Sequence, residues 1–231
     1  MSDLATMLWK EAAEFVAGAR ALRFSAVIVV FLGVMPALTG VRSSTAAALQ
    51  SVGYVLITSV FVTAQSAPEL ILRERSGHSL ETLLATRLPD RAIFAGKVLS
   101  GAAVGYLMAM ATLAIQLVAW ALRTHGWNWL GLSDAAGRWF VLGGPAVLAT
   151  YLATVGTIVA MRVGDQRSAY LVTIVSLAVL ALPLLLHVVT VTTSASGLRS
   201  LVLGLAVVDA VLLAVGVRLF RRERLILYLQ E

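Results

Sequence analysis

Six long apolar runs, separated by short polar connections, follow one another along the chain. A helix rises about 1.5 Å per residue, so roughly 20 apolar residues are needed to cross a hydrocarbon core of about 30 Å. The runs are continuous and lack the alternation of apolar and polar positions that strands of a membrane barrel show. The pattern therefore predicts an all-α membrane protein with six transmembrane helices. They lie at residues 24–40, 46–66, 98–122, 139–161, 169–191 and 198–217.

The positive charges cluster at the ends of the apolar runs and are divided unequally between the two sides of the membrane. If the N-terminus is inside, only four of the 18 Lys and Arg residues lie on the outer side, namely Arg42, Arg123, Arg138 and Arg199. The other 14 lie on the inner side. Lys and Arg accumulate in cytoplasmic connections. The distribution therefore predicts that both termini are cytoplasmic.

Composition agrees with a membrane protein and excludes several kinds of chemistry. Of the 231 residues, 59% are hydrophobic and 13% are charged, and the mean hydropathy is +0.90. These values exclude an ordinary water-soluble domain. The chain has no cysteine, so disulfides, thiolate metal sites and cysteine nucleophiles are excluded. The net charge of +6 comes from residues at the membrane edges, and we infer no nucleic-acid partner from it.

The sequence motifs of ATPases and intramembrane hydrolases are absent. There is no Gly-x-x-x-x-Gly-Lys-Ser/Thr phosphate loop, no His-Glu-x-x-His and no Gly-x-Ser-x-Gly. We therefore expect no catalytic residue, no metal site and no cofactor in this chain. Any energy source has to be another polypeptide.

Residues 1–23 precede the first apolar run and have a helical periodicity of their own. On a helix their apolar residues gather on one side, and Lys10 and Glu14 lie on the other. The apolar side consists of Leu4, Met7, Leu8, Ala12, Phe15, Val16 and Leu22. We expect an amphipathic helix on the inner leaflet, followed by a single six-span domain over residues 24–231. The alternative is a plain cytoplasmic extension of the first span.

The inner connection at residues 73–97 carries the most informative pattern. Gly77 allows a sharp bend out of the membrane, Ser79 can cap a short helix, and Glu81 lies in the favourable first turn. Pro89 ends that helix. The helix would present an apolar face made of Leu80, Leu83 and Leu84. Such a face suits insertion into a cleft on a soluble partner, and the alternative is a helix that packs on lipid.

Few ionisable or amide side chains stand out inside the apolar runs. Asp209 falls near the middle of the last run, where an ionised side chain is costly, so it is a functional candidate or a protonated packing residue. Gln65 and Gln116 are weaker candidates, because such side chains often hydrogen-bond between helices. Gly101 and Gly105 form a Gly-x-x-x-Gly pair, which permits two helices to approach closely.

The segment from Glu74 to Pro89 reads Glu-Arg-Ser-Gly-His-Ser-Leu-Glu-Thr-Leu-Leu-Ala-Thr-Arg-Leu-Pro and is followed by Gly96-Lys97. It resembles the loop between spans two and three of ABC-2 type transporter permeases, which typically reads Glu-Arg-Glu-x-Gly-Thr-Leu-Glu-x-Leu-Leu-x-x-Pro and ends on Gly-Lys. The inner turn at residues 162–169 and the tail at residues 220–226 also resemble that family. Two departures are visible. His78-Ser79 replaces a single Thr, and the long outer loop before span six is nearly absent.

The resemblance implies the membrane subunit of an ATP-driven exporter in the plasma membrane of a prokaryotic cell. Two permease subunits, identical or paralogous, would face each other above separate ATPase subunits that bind ATP and Mg. The loop helix would fit into an ATPase cleft, and closure of the ATPases would move the spans. The implied coupling residues are Glu74, Arg75, Gly77, Ser79, Leu80, Glu81, Leu83 and Leu84.

The small outer loops and apolar walls favour an amphipathic or hydrophobic cargo, and the polar residues inside the spans, Asp209, Gln65 and Gln116, are the candidates for its path. Another class of function stays open, namely a secondary, proton-coupled carrier or channel that uses Asp209 as its titrating group. That class is disfavoured because the sequence shows no inverted pair of interrupted spans and no second intramembrane acid.

Overall fold

The computed structural model describes residues 9–10, 19–39, 44–77, 89–124, 135–163, 165–191 and 195–220. Several features predicted above lie outside these ranges. They are most of the N-terminal helix, the tail after residue 220, and the loop helix with Ser79, Leu80, Glu81, Leu83 and Leu84.

Six helices make up the described part of the chain, which is all-helical. They are α1 (Ala19–Leu38), α2 (Ser44–Ser76), α3 (Asp90–Thr124), α4 (Ala135–Ala160), α5 (Gln166–Val191) and α6 (Ala195–Leu219). Each of the six predicted apolar segments coincides with one of these helices. Four of them, α2, α3, α4 and α6, contain stretches long and apolar enough to cross a membrane.

Helices α2 and α3 extend well beyond their apolar runs toward the connection between them. Helix α2 continues to Ser76 and ends where Gly77 turns, with the Gly77 N–H bonded to the Arg73 carbonyl at 3.0 Å. The Pro89 carbonyl begins α3 by accepting a hydrogen bond from the Ala92 N–H at 2.8 Å. Charged residues such as Glu and Arg are good helix formers, so a helix need not end where its apolar run ends.

Contacts along α2 and α3 show that these helices are antiparallel. The Thr58 and Thr112 hydroxyl oxygens lie 3.1 Å apart, and Ala67 packs against Gly101 farther along. As residue numbers rise on α2 they fall on α3. The end at which α2 stops and α3 starts is called the loop end below.

Helix α4 runs parallel to both α2 and α6. The Ser59 hydroxyl donates to the Pro145 carbonyl at 2.9 Å, and Pro68 packs against Gly156. Between α4 and α6 the paired contacts are Gly143 with Val202 and Ile158 with Gly216. Residue numbers rise together in both pairs, so α2, α4 and α6 all end at the loop end.

The packed interior is rich in small and hydroxylated residues, while the outer faces are apolar. Large apolar side chains such as Phe31, Leu107 and Val211 are more than half exposed. Nine Ser and Thr side chains on α2, α3 and α4 are buried, namely Ser51, Thr58, Ser59, Thr63, Ser66, Ser100, Thr112, Thr154 and Thr157. Hydroxyls between helices and apolar groups outside are the distribution that a lipid environment favours.

Near the loop end, an apolar cluster joins α2, α3, α4 and the end of α6. The Phe94 and Phe220 rings are tilted against each other with their centroids 5.7 Å apart. Gly216 leaves space for the Phe94 ring, because a Cβ there would lie 2.4 Å from the ring's Cζ atom. The tail of α6 is thereby fixed beside the start of α3.

Asp165 begins helix α5 in the exposed turn after α4. Its carboxylate accepts a hydrogen bond from the Ser168 N–H at 2.8 Å, and its carbonyl accepts one from the Ala169 N–H. This is the geometry of a helix N-cap. Hydrogen bonding by Ser168, through its side chain first and its N–H second, lowers the pKa of the Asp165 carboxyl.

We expect Asp165→Ala to lower the thermal unfolding temperature in micelles and Asp165→Ser, which keeps a capping oxygen, to retain it. Because the folded-state pKa is lowered, the stabilisation is present above the ordinary value of 3.8 and is lost as the pH falls through the folded pKa. Circular dichroism melts at neutral and acidic pH measure both effects. Equal melting temperatures for the three proteins at neutral pH would contradict the cap.

Candidate functional site

Three charged side chains meet at the loop end. The two oxygens of the Glu74 carboxylate face different ammonium groups, with Lys10 Nζ 2.6 Å from Oε1 and Lys97 Nζ 2.7 Å from Oε2. Lys97 Nζ also donates to the Leu70 carbonyl at 3.3 Å. The cluster therefore links the N-terminal segment, α2 and α3. Lys10, Glu74 and Lys97 are called the charge cluster below.

The members of the charge cluster differ sharply in burial. The side chains of Glu74 and Lys97 are 3% and 1% exposed, while that of Lys10 is 35% exposed. A buried charge is costly unless it is paired and hydrogen-bonded. Glu74 and Lys97 form an ion pair with each other, and each also has a hydrogen bond elsewhere, Glu74 from Lys10 and Lys97 to the Leu70 carbonyl. Glu74, which the resemblance implies as a coupling residue, therefore points into the protein.

The other described coupling residues lie beside the cluster. Arg75 is partly exposed at the end of α2, and Gly77 is exposed in the turn that follows. Both border the segment at residues 78–88, which holds the remaining implied coupling residues and lies outside the described ranges.

Gln116 hydrogen-bonds between three helices. Its Nε2 donates to the Ser51 carbonyl of α2 at 3.3 Å and to the Leu32 carbonyl of α1 at 3.5 Å. Its Oε1 is buried and has no hydrogen-bond partner among the residues that the structure describes. The Gln116 amide nitrogen thus holds α1, α2 and α3 together.

Asp209 is a buried carboxyl on α6. The residue is 5% exposed, and within the described ranges its Oδ1 has no hydrogen-bond partner. The register of α4 against α6 places it level with Thr150, away from the charge cluster at the loop end. An unpaired buried carboxyl is a costly feature in a helix of this kind.

The three residues of the implied cargo path do not converge. The pairing of Ala67 with Gly101 places Gln65 level with about residue 103 of α3, roughly 20 Å along that helix from Gln116 at 1.5 Å per residue. Asp209 is level with Thr150 of α4. Thr150 lies between Pro145, which contacts Ser59, and Gly156, which contacts Pro68, so Asp209 lies closer to the level of Gln65 on α2 than Gln116 does. Gln65 is partly buried on α2.

The predicted close approach at Gly101 and Gly105 is confirmed. A Cβ at Gly101 would lie 3.0 Å from the Ala67 Cβ, and one at Gly105 would lie 1.7 Å from the Thr63 Oγ1. Gly156 on α4 approaches the Pro68 ring in the same way. Helices α2, α3 and α4 are therefore in near-backbone contact in the half of the bundle toward the loop end.

A surface cavity of about 460 Å³ lies at the start of α4, at the end of the bundle opposite the loop end. Its described lining consists of Arg138, Trp139, Leu142 and Gly143. None of the implied cargo-path residues is part of this lining. Elsewhere in the described part of the chain, no group of three or more His, Cys, Asp or Glu side chains could hold a metal ion.

The fold and the buried polar residues define a class, the helical membrane proteins, because four long apolar helices surround a polar, closely packed interior. Comparison of the chain with models of known protein families finds no match, and none of the curated proteins matches it. The resemblance to ABC-2 permeases therefore rests only on the motif residues of this sequence.

Glu74 and Lys97 both belong to the loop motif, Lys97 in the Gly-Lys that closes it, but the motif itself does not indicate that they pair. A signal was available, because each residue lies a few positions from an end of the same connection. Helix-forming residues on both sides place the two side chains at one level of an antiparallel pair.

Proposed function

We propose that this chain is the membrane subunit of an ATP-driven exporter and that a separate ATPase subunit supplies the energy. The observation that carries the proposal is the loop between α2 and α3. Its motif resembles the coupling loop of ABC-2 permeases, and its two ends are held together by the charge cluster. A connection anchored in this way suits the transmission of force from a partner to two helices.

The orientation of the bundle is part of the same proposal. Positive residues in the described ranges are concentrated at the loop end, and Arg123, Arg138 and Arg199 lie at the other end. Those at the loop end are Lys10, Arg20, Arg23, Arg73, Arg75, Arg91, Lys97, Arg162, Arg167 and Arg218. By the positive-inside rule the loop end is cytoplasmic. With α1 and α5 also crossing, the chain has six spans and two cytoplasmic termini.

The proposed assembly contains two permease subunits and two ATPase subunits in a prokaryotic plasma membrane. ATP and Mg would bind the ATPase, and this chain would contribute no catalytic residue. The exposed apolar faces of α1 and α6 are available to lipid or to the second permease. The apolar walls suit an amphipathic or hydrophobic cargo.

Co-purification tests the docking of the loop on an ATPase. We expect the chain to purify from its native membrane with a nucleotide-binding subunit, and we expect Leu83→Asp with Leu84→Asp to abolish that association, because charge is costly in an apolar cleft. The matched control is Leu130→Asp with Leu132→Asp, in the connection at the opposite end. Retention of the ATPase by the Leu83 and Leu84 variant would contradict the proposed docking.

The second candidate function is a proton-coupled carrier, and it is favoured by the buried Asp209 carboxyl, whose Oδ1 has no hydrogen-bond partner among the described residues. The two functions differ in vesicles that contain this chain alone. A carrier would move protons down an imposed pH gradient, and Asp209→Asn would abolish the flux. The exporter proposal requires no proton flux in the absence of the ATPase.

Asp209 also gives a stability prediction. We expect Asp209→Leu to leave the unfolding temperature unchanged or to raise it, since the Oδ1 atom makes no hydrogen bond within the described ranges. Thermal unfolding in micelles measures this. A clear loss of stability would show that the carboxyl has a stabilising partner in the folded protein.

A further inference from the structure

We propose that Glu74 and Lys97 are positioning residues that make the loop ends of α2 and α3 move as one body, and that Lys10 ties the N-terminal segment to this body through an exchangeable contact. The inference rests on the proposed function, because the movement in question is the one that an ATPase would drive. It assigns Glu74 an internal role in place of a docking contact.

The Glu74 carboxylate is shared by two ammonium groups. Each Glu74 oxygen faces its own ammonium group, at 2.6 Å and 2.7 Å, so neither Lys10 nor Lys97 displaces the other. Lys97 Nζ is held a second time by the Leu70 carbonyl, one helical turn before Glu74. The start of α3 is thus attached to α2 at two consecutive turns.

The two ion-pair contacts of Glu74 differ in how deeply they are buried. At 1% and 3% exposure, the contact between Lys97 and Glu74 is inaccessible to water and salt. Separating the two helices would take the Lys97 ammonium away from the Glu74 Oε2 atom in a poorly solvated place, which is strongly unfavourable. Lys10 is 35% exposed, so water and ions compete for it. The cluster therefore has a permanent contact and an exchangeable one.

The charge cluster lies at the base of the loop between α2 and α3. Glu74 lies three residues before Gly77, and Lys97 lies in the second turn of α3 after Pro89. The cluster closes the base of the connection that would dock on the ATPase. A push on that connection would reach both helices together, and it would be carried onward by the close contacts of Gly101 and Gly105 with α2.

Spin-label distances test the inference, and the absence of native cysteine makes labelling specific. A pair at Leu72→Cys and Arg91→Cys reports on α2 against α3, and a pair at Trp9→Cys and Arg91→Cys reports on the N-terminal segment. In lipid nanodiscs we expect one narrow distance for both pairs at low salt. At 1 M NaCl, where the Debye length is about 3 Å, only the Trp9 pair should broaden.

Charge variants distinguish an effect of the ion pair between Glu74 and Lys97 from an effect of side-chain shape. Glu74→Gln should broaden the distance between Leu72→Cys and Arg91→Cys, and Lys10→Met should leave it narrow. On a Lys10→Met background, the exchange of Glu74→Lys with Lys97→Glu should narrow the distance again in part, because it restores opposite charges but loses the hydrogen bond to the Leu70 carbonyl. A role in packing shape alone would not predict this. A narrow distance in Glu74→Gln would overturn the inference.

The complex with the ATPase gives the functional readout. On addition of ATP, we expect the distance from Leu72→Cys to Arg162→Cys to shift while the distance from Leu72→Cys to Arg91→Cys stays constant. In Glu74→Gln the second distance should change as well. If no ATPase associates with the wild-type chain, the proposed function fails, while the nanodisc distances still show whether Glu74 and Lys97 make α2 and α3 move as one body. If the ATPase associates and Glu74→Gln changes no distance, only this positioning role of Glu74 and Lys97 fails.

Discussion

Replacing Glu74 with alanine is expected to cost about 3–5 kcal/mol of unfolding free energy, the usual effect of breaking a buried ion pair. The reason is that Lys97, 1% exposed, would keep its ammonium group inside the protein without the carboxylate that faces it. Unfolding in mixed micelles, followed by circular dichroism, measures the change.

Two matched variants make this result specific. Lys10→Met removes a partly exposed contact of the same carboxylate and should cost no more than about 1 kcal/mol. Glu74→Ala combined with Lys97→Met removes both buried charges and should recover most of the lost stability. If Glu74→Ala costs no more than Lys10→Met, the buried pair does not stabilise the loop end.

The second large effect is expected at Gly105. Its Cβ position lies 1.7 Å from Thr63 Oγ1, 3.0 Å from Thr63 Cβ and 3.3 Å from the Ser59 carbonyl oxygen. Rotation of the Thr63 hydroxyl relieves only the first of these contacts. We therefore expect Gly105→Ala to force α2 and α3 apart and to cost about 1–3 kcal/mol.

The control for Gly105 is Gly53, which lies on α2 with nothing within 4 Å of its Cβ position. Gly53→Ala should be neutral or stabilising by up to about 1 kcal/mol, because alanine is the better helix former. Adding Thr63→Ala to Gly105→Ala should recover part of the loss. Equal stability of the Gly105 and Gly53 variants would contradict the close approach of the two helices.

The sequence predicts the helices of this protein well because apolar runs of sufficient length have few alternatives in lipid. It also predicts the contact at Gly101 and Gly105, since small residues at this spacing let two helices come close. It underestimates the lengths of α2 and α3. An apolar run marks the part of a helix in hydrocarbon, whereas α2 continues through Arg73, Glu74 and Arg75, which are good helix formers and of which Glu74 is held by the charge cluster.

The candidate site is less predictable because it depends on which side chains meet. Glu74 and Arg75 are neighbours in the motif, yet Glu74 points inward to Lys97 and Arg75 is partly exposed. Neighbouring residues lie on different faces of α2, and the motif does not show which face packs against α3. Asp209 could be identified as costly from its position in an apolar run, but its lack of a described partner required the structure.

The central claim is that the connection between α2 and α3 docks on a separate nucleotide-driven subunit. The most direct measurement is photocrosslinking in native membranes from a photoreactive residue at position 83, with the same residue at position 130 as the control. The account predicts that position 83 crosslinks to a chain that contains a phosphate loop and that position 130 does not. Adducts from position 83 with lipid or with this chain alone would contradict it.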